Sequence, residues 1–212
     1  MKILSITSLA NPDVKVVRIA RFADDRGYFT ETIRSEDLAK TAEIPYFANT
    51  KWQQMNESYS ISGVVRGLHF QWSPHQGKLV RAAEGKLIDL ALDICDGSST
   101  QGKIVGYELH YDPEESFQDL LWLPPGFAHG FVALTDCRLE YMCTAVWSPT
   151  SERAITIFDP KIDWSLMDRD LKASVDEVLP NALMADKDRN GLTLDQWKSS
   201  TEKDIFTQTL SQ

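Results

Sequence analysis

Histidine, cysteine and positive charge are all scarce in this chain, and each shortage narrows what it can be. Of 212 residues only four are histidine and three are cysteine: Cys95, Cys137 and Cys143. Three oddly spaced thiols cannot make a disulfide framework, and they point to a reducing, cytoplasmic setting. Lysine and arginine number 22 against 31 acidic residues, a formal net charge of −9. Sequence-independent nucleic-acid binding runs on clustered cations, so the composition argues against that class. A small anionic ligand needs only two or three local cations and stays open. No apolar run approaches the ~20 residues that span a bilayer. The first stretch, MKILSITSLANPDVKVV, is broken by Ser, Thr, Asn and Asp and does not read as a signal peptide. Internal repeats and low-complexity tracts are absent.

What is present is core-forming material. Apolar residues make up 42% of the chain, with six Trp and nine Phe, enough to bury a substantial interior. In GKLIDLALDI, Ile88, Leu90, Leu92 and Ile94 alternate with Asp89, Ala91 and Asp93, the period of a strand. LLWLP, GFAHGFVAL, RLEYMCTAVW and ERAITIF are further short β-rich runs, separated by turn signals such as CDGSSTQG and YDPEES. Short strands at this spacing predict a mainly β jelly-roll sandwich or barrel. Helical signal is confined to SEDLAK near residue 35, SVDEVLPNAL near 174 and LDQWKSSTEKDIFTQTL at the end. Without a linker, 1–212 reads as one domain, with 198–212 a polar, frayed tail.

Three segments could carry chemistry. In SGVVRGLHFQ a strand would put Gly67, His69 and Gln71 on one face and Leu68 and Phe70 on the other. His69 then reads as a ligand contact or as a hydrogen-bonded core histidine. His129 lies between two glycines on the face of Phe127 and Phe131. Lys78 shares a face with Val80 and Ala82, where burial without an anionic partner would be costly; a solvated strand end is the other reading. A jelly-roll metal site commonly opens with His-x-His, but Gln71 stands where the second histidine should be, and His75 follows Pro74, which predicts a loop there. Asp186, Asp188, Asn190 and Gly191 match the first half of an EF-hand loop. Its twelfth position, however, is Trp197 rather than a bidentate Glu, and its ninth is Leu194.

Read together, DDRGYFTE, QQMNESYSISGVVRGLHFQ, QGKLVRAAEGKLIDLALDI, LPPGFAHGFVAL, EYMCTAVWSP and FDPKIDW resemble the dTDP-4-dehydrorhamnose 3,5-epimerase family. The resemblance runs from about residue 3 to about 195. It implies a cupin-like jelly roll with neither catalytic metal nor cofactor. It also implies a homodimer that exchanges N-terminal strands, and a dTDP-linked 4-keto-6-deoxy sugar as substrate. By motif, His69 would be the base and Asp188 its orienting carboxylate. Lys78 would lie by the 4-keto oxygen, and Tyr141 would be the opposing acid, if this chain is one residue shorter in that hairpin. Arg26, Glu31, Gln54, Asn56, Arg66 and His129 match substrate contacts, with Arg26 and Arg66 for the diphosphate and Tyr28 and Trp147 as flat surfaces for the base. The family usually shows Tyr where Trp147 stands. A relative acting at one carbon, or on a CDP or GDP sugar, would share most of these motifs. A cupin metalloenzyme and a non-catalytic sugar-nucleotide binder are the competing classes.

Overall fold

The computed structural model describes residues 1–202 and 206. Strands dominate it. The N-terminal part holds β1 (Ile3–Ser8), β2 (Lys15–Ala20), β3 (Phe22–Asp24) and β4 (Gly27–Phe29), followed by α1 (Ser35–Leu38). The body holds β5 (Gln54–Ser60), β6 (Val65–Gln71), β7 (Lys78–Glu84), β8 (Lys86–Asp93) and β9 (Ile104–His110). It continues with β10 (Phe117–Leu123), β11 (Phe127–Ala133), β12 (Cys137–Cys143) and β13 (Glu152–Ala154). Three short helices close the described chain: α2 (Arg169–Val178), α3 (Asp186–Arg189) and α4 (Leu194–Lys198).

Two antiparallel sheets form the jelly roll. One runs β1-β2-β10-β7-β12-β5, the other β13-β6-β11-β8-β9, and β3 and β4 make a separate hairpin. Apolar residues sort into three layers. Val80, Ala82 and Leu121 of the six-stranded sheet meet Ala91, Phe127 and Phe131 of the five-stranded sheet. The outer face of the five-stranded sheet, through Leu68, Phe70, Leu90 and Leu92, carries Val175, Leu194 and Trp197 of the helices. The outer face of the six-stranded sheet packs Leu79, Leu120 and Trp122 against Leu38, Ile44 and Phe47.

This layering explains β8. Both its faces are covered, so both alternating sets are buried, and Asp89 and Asp93 are 0% and 1% exposed. Buried carboxylates require partners. Asp93 accepts from the Cys95 N–H and from the Ser98 and Thr100 hydroxyls, which pins the loop after β8.

The helices differ in detail from expectation. α2 starts at Arg169, earlier than SVDEVLPNAL suggests, because Asp168 caps it by accepting the Asp170 and Leu171 N–H groups. It ends before Pro180, which sits in a 3-10 turn. α4 is short and begins with a Thr193–Gln196 capping box. The tail is not uniformly loose: Phe206 is fully buried and packs against Trp197 at 6.0 Å between centroids. Lys198 ends α4, and the Ser199 and Ser200 N–H groups bond back to the Asp195 and Trp197 carbonyls; of the expected frayed tail, 203–205 and 207–212 lie outside the described residues. Among the described residues no helix is long and apolar enough to cross a membrane.

Candidate active site

The cavity lies at one end of the roll, between the two sheets, with a volume of about 430 Å³. β6 and β11 supply His69 and His129, which are direct register partners. β7 and β12 supply Lys78 and Tyr141, and β5 supplies Gln54 and Asn56. The β6–β11 approach is unusually close. A Cβ on Gly67 would stand 2.5 Å from the His129 carbonyl oxygen and 2.6 Å from the Gly130 Cα, and Gly67 has φ +102°. Only glycine fits both the space and the backbone there, and the pairing register shifts between His129 and Phe131.

His69 is oriented by Asp188. Its Nε2 lies 2.7 Å from Asp188 Oδ1, while Asp188 Oδ2 accepts the Gly67 N–H at 3.1 Å. Asp188 is buried, and burial by itself raises a carboxyl pKa. The His69 and Gly67 hydrogen bonds outweigh that and hold it below its ordinary value. With Nε2 committed to Asp188, Nδ1 is the free nitrogen. Asp186–Arg189 is a helical turn, and both Asp188 oxygens are engaged within the protein. The half EF-hand pattern is therefore a helix that delivers a carboxylate to an imidazole.

A second His–carboxylate pair sits beside the first. His129 Nε2 lies 2.9 Å from Asp89 Oδ2, and His129 Nδ1 lies 3.5 Å from Lys78 Nζ. Burial lowers the His129 pKa, opposed by Asp89 and reinforced by Lys78. A neutral His129 donates from Nε2 to Asp89 and accepts from Lys78 at Nδ1. Desolvation also lowers the Lys78 ammonium pKa, against the charges of Cys143, Glu152 and Asp89. Tyr141 presents its ring 6.0 Å from Lys78 Nζ and 6.4 Å from the His129 ring. Burial raises its phenol above the ordinary value of 10.0, so it carries its proton at neutral pH.

The rim holds Gln54, which donates to Asn56 Oδ1 at 2.8 Å and accepts the Trp147 N–H at 2.8 Å. Trp147 is half exposed, and Arg66 is braced by the Ser60 hydroxyl and the Tyr59 carbonyl. His69, Lys78, His129, Tyr141, Gln54, Asn56, Arg66 and Trp147 all line the cavity, with Asp188 directly behind His69.

Arg26, Tyr28 and Glu31 do not line it within one chain. Arg26 is on the tip of the β3–β4 hairpin, 89% exposed and paired with Asp24; Tyr28 bonds the Tyr111 hydroxyl; Glu31 pairs with the N-terminal ammonium and Arg34. Four residues that sequence reasoning missed do belong here. Gln76, Glu152 and Lys187 line the cavity and Asp89 underpins His129. Asp89 was visible as a carboxylate in an apolar strand, but its partner was not.

Gln71 does not complete a metal site. Its amide donates to the Pro74 and Val146 carbonyls and its oxygen accepts from the Ser148 N–H. Among the described residues no three His, Cys, Asp or Glu side chains converge as ligands.

A His–Asp dyad on one sheet of a jelly roll, with a lysine and a tyrosine on the facing sheet, makes a cavity whose groups are of the kind that transfer protons. The family model described as dTDP-4-dehydrorhamnose 3,5-epimerase matches residues 8–196, and the chain belongs to that family. A dTDP-4-dehydrorhamnose 3,5-epimerase of Pseudomonas aeruginosa is 38% identical over 191 residues, covering 89% of this chain and 94% of that one. One from Sinorhizobium fredii is 41% identical over 179 residues, covering 82% and 87%. The crystal structure of a Legionella pneumophila dTDP-6-deoxy-D-glucose-3,5-epimerase in complex with dTDP-4-keto-L-rhamnose superposes with a TM-score of 0.76. It is 29% identical and covers 96% of this chain and 97% of that chain.

Proposed function

We propose that this protein inverts C3 and C5 of dTDP-4-dehydro-6-deoxy-D-glucose to give dTDP-4-dehydro-L-rhamnose. The observation that carries the reading is the His69–Asp188 dyad on the five-stranded sheet with Tyr141 and Lys78 on the facing sheet of one cavity. The 4-keto group acidifies the hydrogens at C3 and C5 by spreading charge onto oxygen. His69 removes such a proton through Nδ1, and Asp188 holds its tautomer and stabilises the imidazolium. Lys78, positioned by His129, stabilises the enolate oxygen. Tyr141 returns a proton on the opposite face, which inverts the carbon. This sequence of steps uses no metal or other cofactor.

Arg66 takes the diphosphate and Trp147 stacks on the base, with Gln54 and Asn56 holding polar groups between. Arg26, Tyr28 and Glu31 do not line the cavity of their own chain. We assign them to the site of a second copy in a homodimer that exchanges its N-terminal strands. The three cysteines are free and buried, which suits a cytoplasmic enzyme.

Incubation with dTDP-4-dehydro-6-deoxyglucose in D2O, followed by NMR, tests the reading. Deuterium at both C3 and C5 with the L-rhamno product is expected. Deuterium at one carbon would reduce it to a mono-epimerase, and none would reject it for this substrate.

A further inference from the structure

Tyr141 stands directly opposite Asn56 in the β5–β12 pairing, and Cys143 stands opposite Gln54. Gln54, Asn56 and Tyr141 all line the cavity. Which end of a side-chain amide faces a neighbour follows from the hydrogen bonds around it. Here the first donor in the chain is unambiguous, because it is a backbone N–H. The Trp147 N–H bonds Gln54 Oε1 at 2.8 Å. Gln54 therefore turns its NH2 the other way, and Nε2 donates to Asn56 Oδ1 at 2.8 Å. That orients Asn56 in turn: its oxygen is taken by Gln54, and its NH2 is the end left for β12. An amide NH2 carries two N–H donors. Asn56 Nδ2 lies 3.7 Å from Cys143 Sγ, a weak acceptor, and also bonds the Tyr141 hydroxyl.

The direction of that last bond matters for an acid. An N–H donor favours the phenolate, whereas a carbonyl in its place would favour the phenol. When Tyr141 gives its proton to carbon, the O–H bond breaks, the C–H bond forms, and the electron pair stays on the phenolate oxygen. A donor already aimed at that oxygen grows stronger as the charge develops. We propose that Asn56 stabilises the Tyr141 phenolate during proton return, and that the relay from the Trp147 N–H through Gln54 keeps the Asn56 NH2, rather than its carbonyl, on that oxygen. Asn56 thus touches a reacting atom, and Gln54 is a positioning residue that acts through it. Burial raises the Tyr141 phenol, Cys143 and Glu152 add to that, and the Asn56 hydrogen bond and Arg66 pull it back. The inference rests on the proposed role of Tyr141 as acid.

Asn56→Ala removes the donor, and Gln54→Met removes the relay without adding charge. Net inversion should fall about 10- to 100-fold in Asn56→Ala and less in Gln54→Met, while deuterium wash-in started by His69 persists. The second readout is the ionisation of Tyr141 itself, followed by NMR of enzyme carrying ring-13C tyrosine. Its signal is the one missing from Tyr141→Phe. Tyr141 should ionise at higher pH in both variants, because the phenolate has lost its donor. Lys78, Arg66, His69, His129, Cys143 and Glu152, the charged and titratable groups around it, are the same in all three proteins. A residue that only contacts substrate would raise KM and leave this titration in place. An unmoved Tyr141 titration in either variant, with wild-type circular dichroism and melting, overturns the inference, as does a moved titration with wild-type inversion. If Asn56→Ala does not fold, Gln54→Met carries the test alone. Tyr141→Phe separates the two ideas: equal loss of exchange and inversion there removes the acid assignment itself. Selective loss of inversion there, with unmoved titrations in the amide variants, removes only the role of Asn56.

Discussion

If His69 is the base and Tyr141 the acid, as proposed, their work is separable and single substitutions can divide it. His69→Ala should abolish solvent exchange at every carbon the enzyme touches while substrate affinity stays within about tenfold, as expected if the nucleotide end supplies most of the binding. Asp188→Asn leaves the fold but loosens the tautomer, and should cut turnover about 10- to 10⁴-fold, as in other His–Asp pairs. Isotope wash-in and calorimetry on the two variants check both statements. Tyr141→Phe keeps the ring and its packing, so its defect should be chemical. Exchange persists, and net inversion falls by about 10²–10⁴. Equal loss of both in one NMR time course would make Tyr141 a positioning group instead. The buried pair behind Lys78 has a pH signature. His129 has a folded pKa below its ordinary value of 6.5, so the unfolded chain binds its proton first as pH falls. Its contribution to stability is therefore present above 6.5 and lost as pH drops from there through the folded value. Asp188, depressed from 3.8, adds a second loss only below that pH. Thermal melts between about pH 8 and 5 should fall on the acid side, and His129→Gln should flatten that fall.

The geometry is set by the β6–β11 pair and by the helices behind it. Gly67 lets the two strands approach closely enough to put His69 opposite His129 and to send the Gly67 N–H to Asp188. Gly67→Ala forces a Cβ into the His129 carbonyl at a backbone angle that L residues avoid. It should cost about 1–3 kcal/mol of stability and lower kcat more than it raises KM, measured by denaturant melts and steady-state kinetics. Wild-type kcat in that variant would mean that the strands relax apart without moving the base. On the far side, Trp197 of α4 packs on Phe70 at 4.6 Å and donates to the Ile94 carbonyl. This fastens the helical layer that includes α3 to the sheet carrying His69.

At the scale of the whole molecule, the expected contacts that lie outside the cavity are informative. Arg26 projects from a hairpin that belongs to neither large sheet, and Phe22 and Phe29 on that hairpin are 48% and 66% exposed. β5, at the edge of the six-stranded sheet, exposes Met55 and Tyr59. An apolar hairpin and an open edge strand suit exchange between two copies. If Arg26 completes the partner's site, His69→Ala and Arg26→Ala are each impaired alone. Unfolded and refolded together they should recover about a quarter of wild-type activity, since half of randomly paired dimers hold one intact site. No recovery in a confirmed heterodimer would mean that Arg26 serves its own chain.

Much of this was legible in the sequence, for physical reasons. Period-2 alternation, turn residues and scattered aromatics determined a β sandwich, because a strand must hide one face. The ordered motifs around His69, Lys78, His129 and Tyr141 marked out the cavity lining before any coordinate was known. The partnerships were not legible, because they join residues far apart in the chain. Asp188 reaches His69 across 119 positions, and Asp89 reaches His129 across 40. The pattern DKDRNG reads as half a calcium loop until the fold lays α3 against β6. Asp89 and Asp93 read as the polar side of an amphipathic strand until helices and a second sheet cover both faces of β8. Local pattern decided which residues form strands. Only packing decided which carboxylates lose their water, and a carboxylate without water must find a proton donor.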